Sequence, residues 1–194
     1  MKKIIFIIFL TIIPLFAQLQ SAGTKGVFMA VGVGPRFPIG DFSDQSNIGI
    51  GADITFSYGD NNLIPFFLYT SVGYQHYPGR EDFYKQSDYS SFSTDALVIA
   101  PGLRYYFKPL LDNIVLLMPV IDAGAEYCYY EDLNQFKPGT GKSNRIDDYS
   151  KFGFHIGAGV SMFILDAITY YNYLPQHQYI SFSLKVNIPI FITM

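Results

Sequence analysis

A chain of 194 residues with 13 Lys and Arg against 16 Asp and Glu carries a formal net charge of −3, a balance that disfavours nucleic acid as a partner. Its one cysteine, Cys128, excludes an internal disulfide and reads as a small buried residue. Aromatic residues make up 18% of the chain, with 16 Tyr and no Trp, and a ring with a wet hydroxyl suits the headgroup zone of a membrane.

The first residues read as a secretory leader. Lys2 and Lys3 form a basic start, Ile4 to Phe16 an apolar segment, and Leu15-Phe16-Ala17 a cleavage site. We expect a signal peptide over residues 1–17 and a barrel domain over 18–194. Loss of Lys2 and Lys3 would leave 11 basic residues against 16 acidic ones, a net −5. A retained anchor is the alternative, but the apolar segment is short for a bilayer span and contains Pro14. No other segment offers about 18 consecutive apolar residues, so membrane residence of the remaining chain requires strands closed into a barrel.

Period-two alternation predicts about eight strands. Strand one, about Gly26 to Pro35, sets Val27, Met29, Val31 and Val33 against Phe28, Ala30, Gly32 and Gly34. Strand two, Ile48 to Tyr58, alternates Ile48, Ile50, Ala52, Ile54 and Phe56 with Gly49, Gly51, Asp53, Thr55 and Ser57. Strand three, about Leu63 to Tyr77, points Ile64, Phe66, Leu68, Val72 and Tyr74 outward and Tyr69, Ser71, Gly73 and Gln75 inward. Strand four, about Asp95 to Phe107, opposes Leu97, Ile99, Leu103 and Tyr105 to Ala96, Ala100, Gly102 and Arg104.

Strand five, about Ile114 to Tyr130, places Asp122, Gly124, Glu126 and Cys128 inside. Strand six, about Lys151 to Ile164, places Lys151, Gly153, His155, Gly157, Gly159 and Ser161 inside. Strand seven, about Ala167 to Tyr173, is short and its facing ambiguous. Strand eight, Tyr179 to Ile192, has the cleanest pattern: Ile180, Phe182, Leu184, Val186, Ile188, Ile190 and Ile192 on one face, Ser181, Ser183, Lys185 and Asn187 on the other. A transmembrane strand needs about 9 to 11 residues with one lipid-facing row and one polar row, and strand eight meets both conditions.

The connections alternate in length. Gly59-Asp60-Asn61-Asn62, Lys108 to Asn113 and the residues around Leu165-Asp166 read as short turns, whereas Arg36 to Asn47, Pro78 to Thr94 and Glu131 to Ser150 read as long polar loops. The fourth loop, Leu174 to Gln178, is short. The expected fold is all-β: an eight-stranded antiparallel up-and-down transmembrane barrel with both termini on the periplasmic, short-turn side.

Three stretches carry a family resemblance: Gly32-Val33-Gly34-Pro35 through Pro38-Ile39-Gly40-Asp41-Phe42, Pro101-Gly102-Leu103-Arg104-Tyr105-Tyr106-Phe107, and Gly153 to Gly159. On these the chain resembles the small OmpA/OmpX-like outer-membrane β-barrels. The resemblance implies a monomer in the outer membrane of a Gram-negative-type bacterium, in contact with lipid and lipopolysaccharide. Many such barrels end in an aromatic residue read by the assembly machinery, whereas this chain ends Phe191-Ile192-Thr193-Met194.

The candidate site is a lumen charge cluster of Asp53, Arg104, Asp122, Glu126, Lys151, His155 and Lys185. An eight-stranded barrel is only wide enough for side chains to fill, so these charges are expected to pair with one another, Arg104 being shared by some of Asp53, Asp122 and Glu126. A wet path along them would make a narrow passive pore instead. Some barrels of this size are lipid A acyl hydrolases or transferases with a His near a Ser at the membrane surface. Here His76, His155 and His177 lack a serine two residues on and lack metal-site spacing, and no catalysis and no cofactor are expected. Loops 78–94 and 131–150, with Phe83, Tyr84, Tyr89 and Phe92 in the first and Phe136 and Tyr149 in the second, are the expected contact surface for an extracellular ligand.

Overall fold

The computed structural model describes residues 25–60, 64–110 and 117–193, so the expected signal peptide lies outside the described residues. Strands β1 (Lys25–Ile39), β2 (Gly49–Asp60), β3 (Phe67–Pro78), β4 (Tyr89–Tyr106), β5 (Leu117–Phe136), β6 (Arg145–Met162), β7 (Leu165–Tyr173) and β8 (Gln178–Thr193) form a closed ring in sequence order. Each strand runs antiparallel to the next, and β8 returns to pair with β1. Helix α1 (Asp41–Gln45) lies between β1 and β2, and α2 (Glu81–Gln86) between β3 and β4. Lys25 opposite Thr193 puts both ends of the described chain at the short-turn end, away from α1 and α2.

Alternation decides the two faces. Leu68, Leu97, Leu103, Ile121, Ile156 and Leu184 point out and stand 45–52% exposed, as an apolar belt must if lipid covers it. Tyr74, Tyr127 and Tyr173 rim the belt towards α1 and α2; Phe66, Tyr105 and Phe107 pack on one another at the turn end. These are the two aromatic girdles of a membrane barrel. Inside, the polar row is buried: Arg104, Asp122, Glu126, His155, Asp166 and Lys185 are all at most 4% exposed.

The structure corrects several boundaries. Glu131 to Ser150 is strand through most of its length, because β5 runs to Phe136 and β6 starts at Arg145, and the stretch Pro78 to Thr94 holds α2 and the start of β4 at Tyr89. Their outward residues are polar because they stand above the belt, not because pairing has stopped; Asp95, Glu131 and Asp148 still sit in register across β4, β5 and β6. Arg36 likewise belongs to β1, opposite Gly49 and Ser181. The facing of β7 is definite, with Asp166, Ile168, Tyr170 and Asn172 buried.

One change of face was not legible. Val27 opposes Phe191 while Phe28 opposes Pro189, leaving Ile190 as the extra residue of a bulge. Proline cannot donate to the ladder and is tolerated at such irregularities. Directly opposed residues share a face, so beyond the bulge Phe191 joins Val27 on the outside and Ile192 joins Gly26 on the lumen side, contrary to the expected run Ile188, Ile190, Ile192.

Candidate functional site: the polar lumen

Nearest the turn end, the guanidinium of Arg104 reaches across the lumen. Arg104 opposes Asp122 across β4 and β5, and its Nε and Nη2 donate to the two oxygens of that carboxylate at 2.8 and 2.9 Å. Nη1 crosses the barrel to Asp166 Oδ2 at 3.0 Å, and the remaining N–H groups reach Tyr106 Oη and Tyr170 Oη at 3.3 and 3.2 Å. All five donors are therefore used, which is the condition for burying a guanidinium without leaving it short of partners. Tyr170 Oη in turn donates to Asp122 at 2.6 Å, and Val120, Ile168 and Tyr106 pack around the clasp.

A second ion pair lies beside it. Lys185 Nζ reaches Asp53 Oδ1 at 2.8 Å and Thr55 Oγ1 at 3.1 Å, while Arg36 Nη2 approaches Asp53 Oδ2 at 3.7 Å. Gly32 lies between these residues in the sheet, opposite Asp53 on one side and Lys185 on the other. A Cβ there would sit 2.9 Å from Asp53 Oδ2 and 2.9 Å from Lys185 Cγ, so the absence of a side chain is what lets the pair meet.

Above this level is a small cavity of about 60 Å³, lined by Arg36, Asp53, Glu126, His155, Tyr179 and Lys185 among others. Glu126 accepts from Tyr179 Oη and, at 3.3 Å, from Cys128 Sγ. Gln75 bridges Tyr77 and Tyr179, accepting from Tyr77 Oη at 2.6 Å and donating to Tyr179 Oη at 3.0 Å. His155 Nε2 and Tyr69 Oη are 2.5 Å apart.

The far end carries packed rings instead of charges. Phe42 of α1 turns down into the mouth and is only 4% exposed, stacked on His177 at 4.5 Å and edge-on to Tyr77 at 4.8 Å. Tyr130 packs on Phe42, His177 and Tyr149. Gly40, at φ 59°, makes the turn that brings α1 over the opening. Ser46 bridges to Gly79, Arg80 N donates to Gln45 O, and Arg80 Nη1 holds Ser43 O at 2.9 Å.

Outside the spanning strands, His177 titrates at about 4 instead of its ordinary 6.5, because burial penalises its charged form. Tyr149 Oη donates to Asp132 at 3.0 Å, so His177 Nε2 must donate to Tyr149 at 2.8 Å. That leaves Nδ1 as the unprotonated nitrogen of the ring.

Of the sequence-derived cluster, Arg104 and Asp122 join in the clasp, Lys185 and Asp53 in the second pair, and Glu126 and His155 line the cavity between the clasp and the rings. Lys151 stands apart at the outer mouth, bonding Pro175 O at 2.6 Å. Arg104 is shared between Asp122 and Asp166, and not with Asp53 or Glu126. Asp166 looked like a turn residue and Arg36 a loop residue; extending the inward parity of strand one by two residues beyond Gly34 would have found Arg36, whereas strand seven, with its facing ambiguous, gave no parity to extend to Asp166. Phe42 carried no such signal, since its burial depends on where α1 folds. Among the described residues no group of three or more His, Cys, Asp or Glu side chains is placed to hold a metal ion.

No protein-family model and no curated protein matches the chain. Among solved structures, Neisserial surface protein A superposes with a TM-score of 0.53 at 17% identity, covering 85% of this chain and 97% of that one. The fold is that of the small outer-membrane β-barrels. Two further barrels of this fold are similar at lower scores. The attachment invasion locus protein Ail of Yersinia pestis gives 0.48 at 14% identity over 87% of this chain and 100% of its own. The N-terminal barrel domain of Pseudomonas aeruginosa OprF gives 0.46 at 15% over 86% and 99%.

Proposed function

We propose that this protein is a monomeric integral barrel of the bacterial outer membrane whose lumen is closed and whose work is done by contact at its extracellular rim. The observation that carries this reading is the Arg104 clasp, an ionic bridge from β4 to β5 and β7 across the lumen in which every guanidinium donor is used. Short turns and both chain ends then lie on the periplasmic side, as in other barrels of this kind. The belt meets lipid, and the zone above it meets lipopolysaccharide headgroups.

The rim is built to hold its shape. Phe83, Tyr89, Phe92 and Phe136 stack between α2 and the β4–β5 hairpin, and Lys137 Nζ ties down the carbonyls of Tyr84 and Ser87, both at 2.7 Å. Lys142 lies 2.7 Å from Asp88 and holds that carboxyl below the usual carboxylate range. Preorganised aromatics framed by charge suit contact with a sugar-rich or protein surface.

A narrow pore would need the clasp to open. A lipid A acyl hydrolase would need a His beside a Ser at the rim, but the histidine partners here are Asp95 for His76, Tyr69 for His155 and Tyr149 for His177. Replacing residues 81–86 and 138–143 with Gly-Ser linkers of equal length tests the contact role. The refolded barrel should keep its heat-dependent gel mobility and lose binding to lipopolysaccharide vesicles or host surfaces. Undiminished binding to both would overturn it.

A further inference from the structure

The cavity between the two closures has walls that ask for an occupant. Seven buried side-chain polar atoms have no hydrogen-bond partner among the described residues, and three of them are Arg36 Nε, Glu126 Oε2 and His155 Nδ1. Their residues are 4%, 1% and 3% exposed, and all three line the same cavity. An unpaired polar atom in a dry interior is costly, and one such atom could be an accident of packing. Three around one space are a hydration site. At roughly 15 Å³ for each water, the cavity of about 60 Å³ holds about four.

The walls also set what else could enter. Arg36 and Lys185 face Asp53 and Glu126, so neither sign of ion is favoured, while Ser181, Ser183 and Asn172 add hydroxyl and amide groups. The two ends differ. Towards the turns, Arg104 on β4 is paired with Asp122 on β5 and Asp166 on β7 and cannot leave without breaking those pairs. Towards the outside, Phe42 is borne on a five-residue helix whose attachments are to loop and strand-end backbone.

We propose that the cavity is a binding site for water and for uncharged polar molecules of similar size, entered from the extracellular side past Phe42 and blind at the Arg104 clasp. It rests on the closed-lumen reading above and adds a one-sided entrance to it. Cys128, the chain's only cysteine, is the built-in reporter. It is fully buried on the lumen face, 3.3 Å from the Glu126 carboxylate on one side and packed against Tyr130, beneath Phe42, on the other.

The experiment uses the mature barrel refolded in vesicles and silver ion, a membrane-impermeant thiol reagent close to water in size that binds a thiol by displacing its proton, with labelling of Cys128 followed by mass spectrometry. Applied to the loop side, the reagent should label wild type slowly and Phe42→Ala at least tenfold faster. Applied to the turn side, it should label neither. Arg80→Ala, which removes the bond to Ser43 O and leaves the rings intact, should give an intermediate rate and serves if Phe42→Ala does not refold. Equal rates in all three proteins, or labelling from the turn side, would overturn the entrance. Water cross-peaks to Ser181, Ser183 and Asn172 in magnetic resonance spectra should be present; their absence would mean a dry cavity. Ion conductance by wild type would instead strike at the closed lumen itself, so the two failures are distinguishable.

Discussion

The two ends of the lumen solve one problem with opposite chemistry. At the turn end, closure is ionic and strand-borne: Arg104, Asp122 and Asp166 are fixed by the register of β4, β5 and β7, and every donor has an acceptor. At the outer end, closure is aromatic and loop-borne, with Phe42 resting on Tyr77, Tyr130 and His177. A buried charge held in a rigid wall cannot be withdrawn cheaply. A ring on a short helix can, because undocking it exposes apolar surface but leaves no charge unpaired and no ladder broken.

Substitutions can break this contrast, beginning at the clasp. Arg104→Ala leaves Asp122 and Asp166 buried without their cation and should cost about 3 to 5 kcal/mol in reversible unfolding from lipid. A cost below about 1 kcal/mol would mean that water already shares the carboxylates. Leu184→Arg is the control on the other side of the same wall, next to Lys185, and should cost about 2 to 4 kcal/mol if Leu184 lies near the bilayer midplane. Were it neutral, β8 would not face lipid there.

Between the two closures, Tyr179→Phe removes the hydroxyl that donates to Glu126 and accepts from Gln75. It should cost about 1 to 3 kcal/mol in the same assay, towards the low end if cavity water replaces the hydroxyl. Phe42→Ala sharpens the contrast most. A Phe in a fixed core costs about 3 to 5 kcal/mol on truncation, whereas α1 can undock locally, so global stability should fall by less than about 1 kcal/mol. Hydrogen-exchange protection of α1 should be lost in that variant. A full core penalty would make the stopper part of the barrel's cooperative unit.

The smallest effect is on pH. His177 is neutral when folded down to about 4, whereas an unperturbed imidazole takes up its proton near 6.5. Between those values the undocked state binds more protons, so docking of α1 is strongest above pH 6.5 and weakens as pH falls towards 4. Exchange protection of α1, corrected for intrinsic rates, should follow that window. A flat profile would show that His177 does not feel the state of Phe42.

The contrast also explains what could be read from sequence. The ring of strands, the outward row and most inward charges follow from a period of two, since a wall that separates lipid from a packed lumen leaves each strand one choice of face. Asp53, Arg104, Asp122, Glu126, His155 and Lys185 were legible for that reason. Polar composition misled at strand ends: β5 and β6 climb above the belt, where outward residues need not be apolar, and their alternation of polar with polar looks like a loop. The bulge at Ile190 shifts the face without changing composition. Phe42 is the limiting case, because its burial depends on a loop folding back over a mouth whose rings come from β3, β5 and the β7–β8 turn.

Recording from planar bilayers containing the refolded mature protein tests the doubly closed lumen most directly. Wild type and Phe42→Ala should both show no unitary current steps at moderate voltage, since the clasp remains when the stopper is gone. Ohmic steps in the wild type would contradict the closed lumen, and steps that appear only in Phe42→Ala would move the true barrier from the Arg104 clasp to the rim.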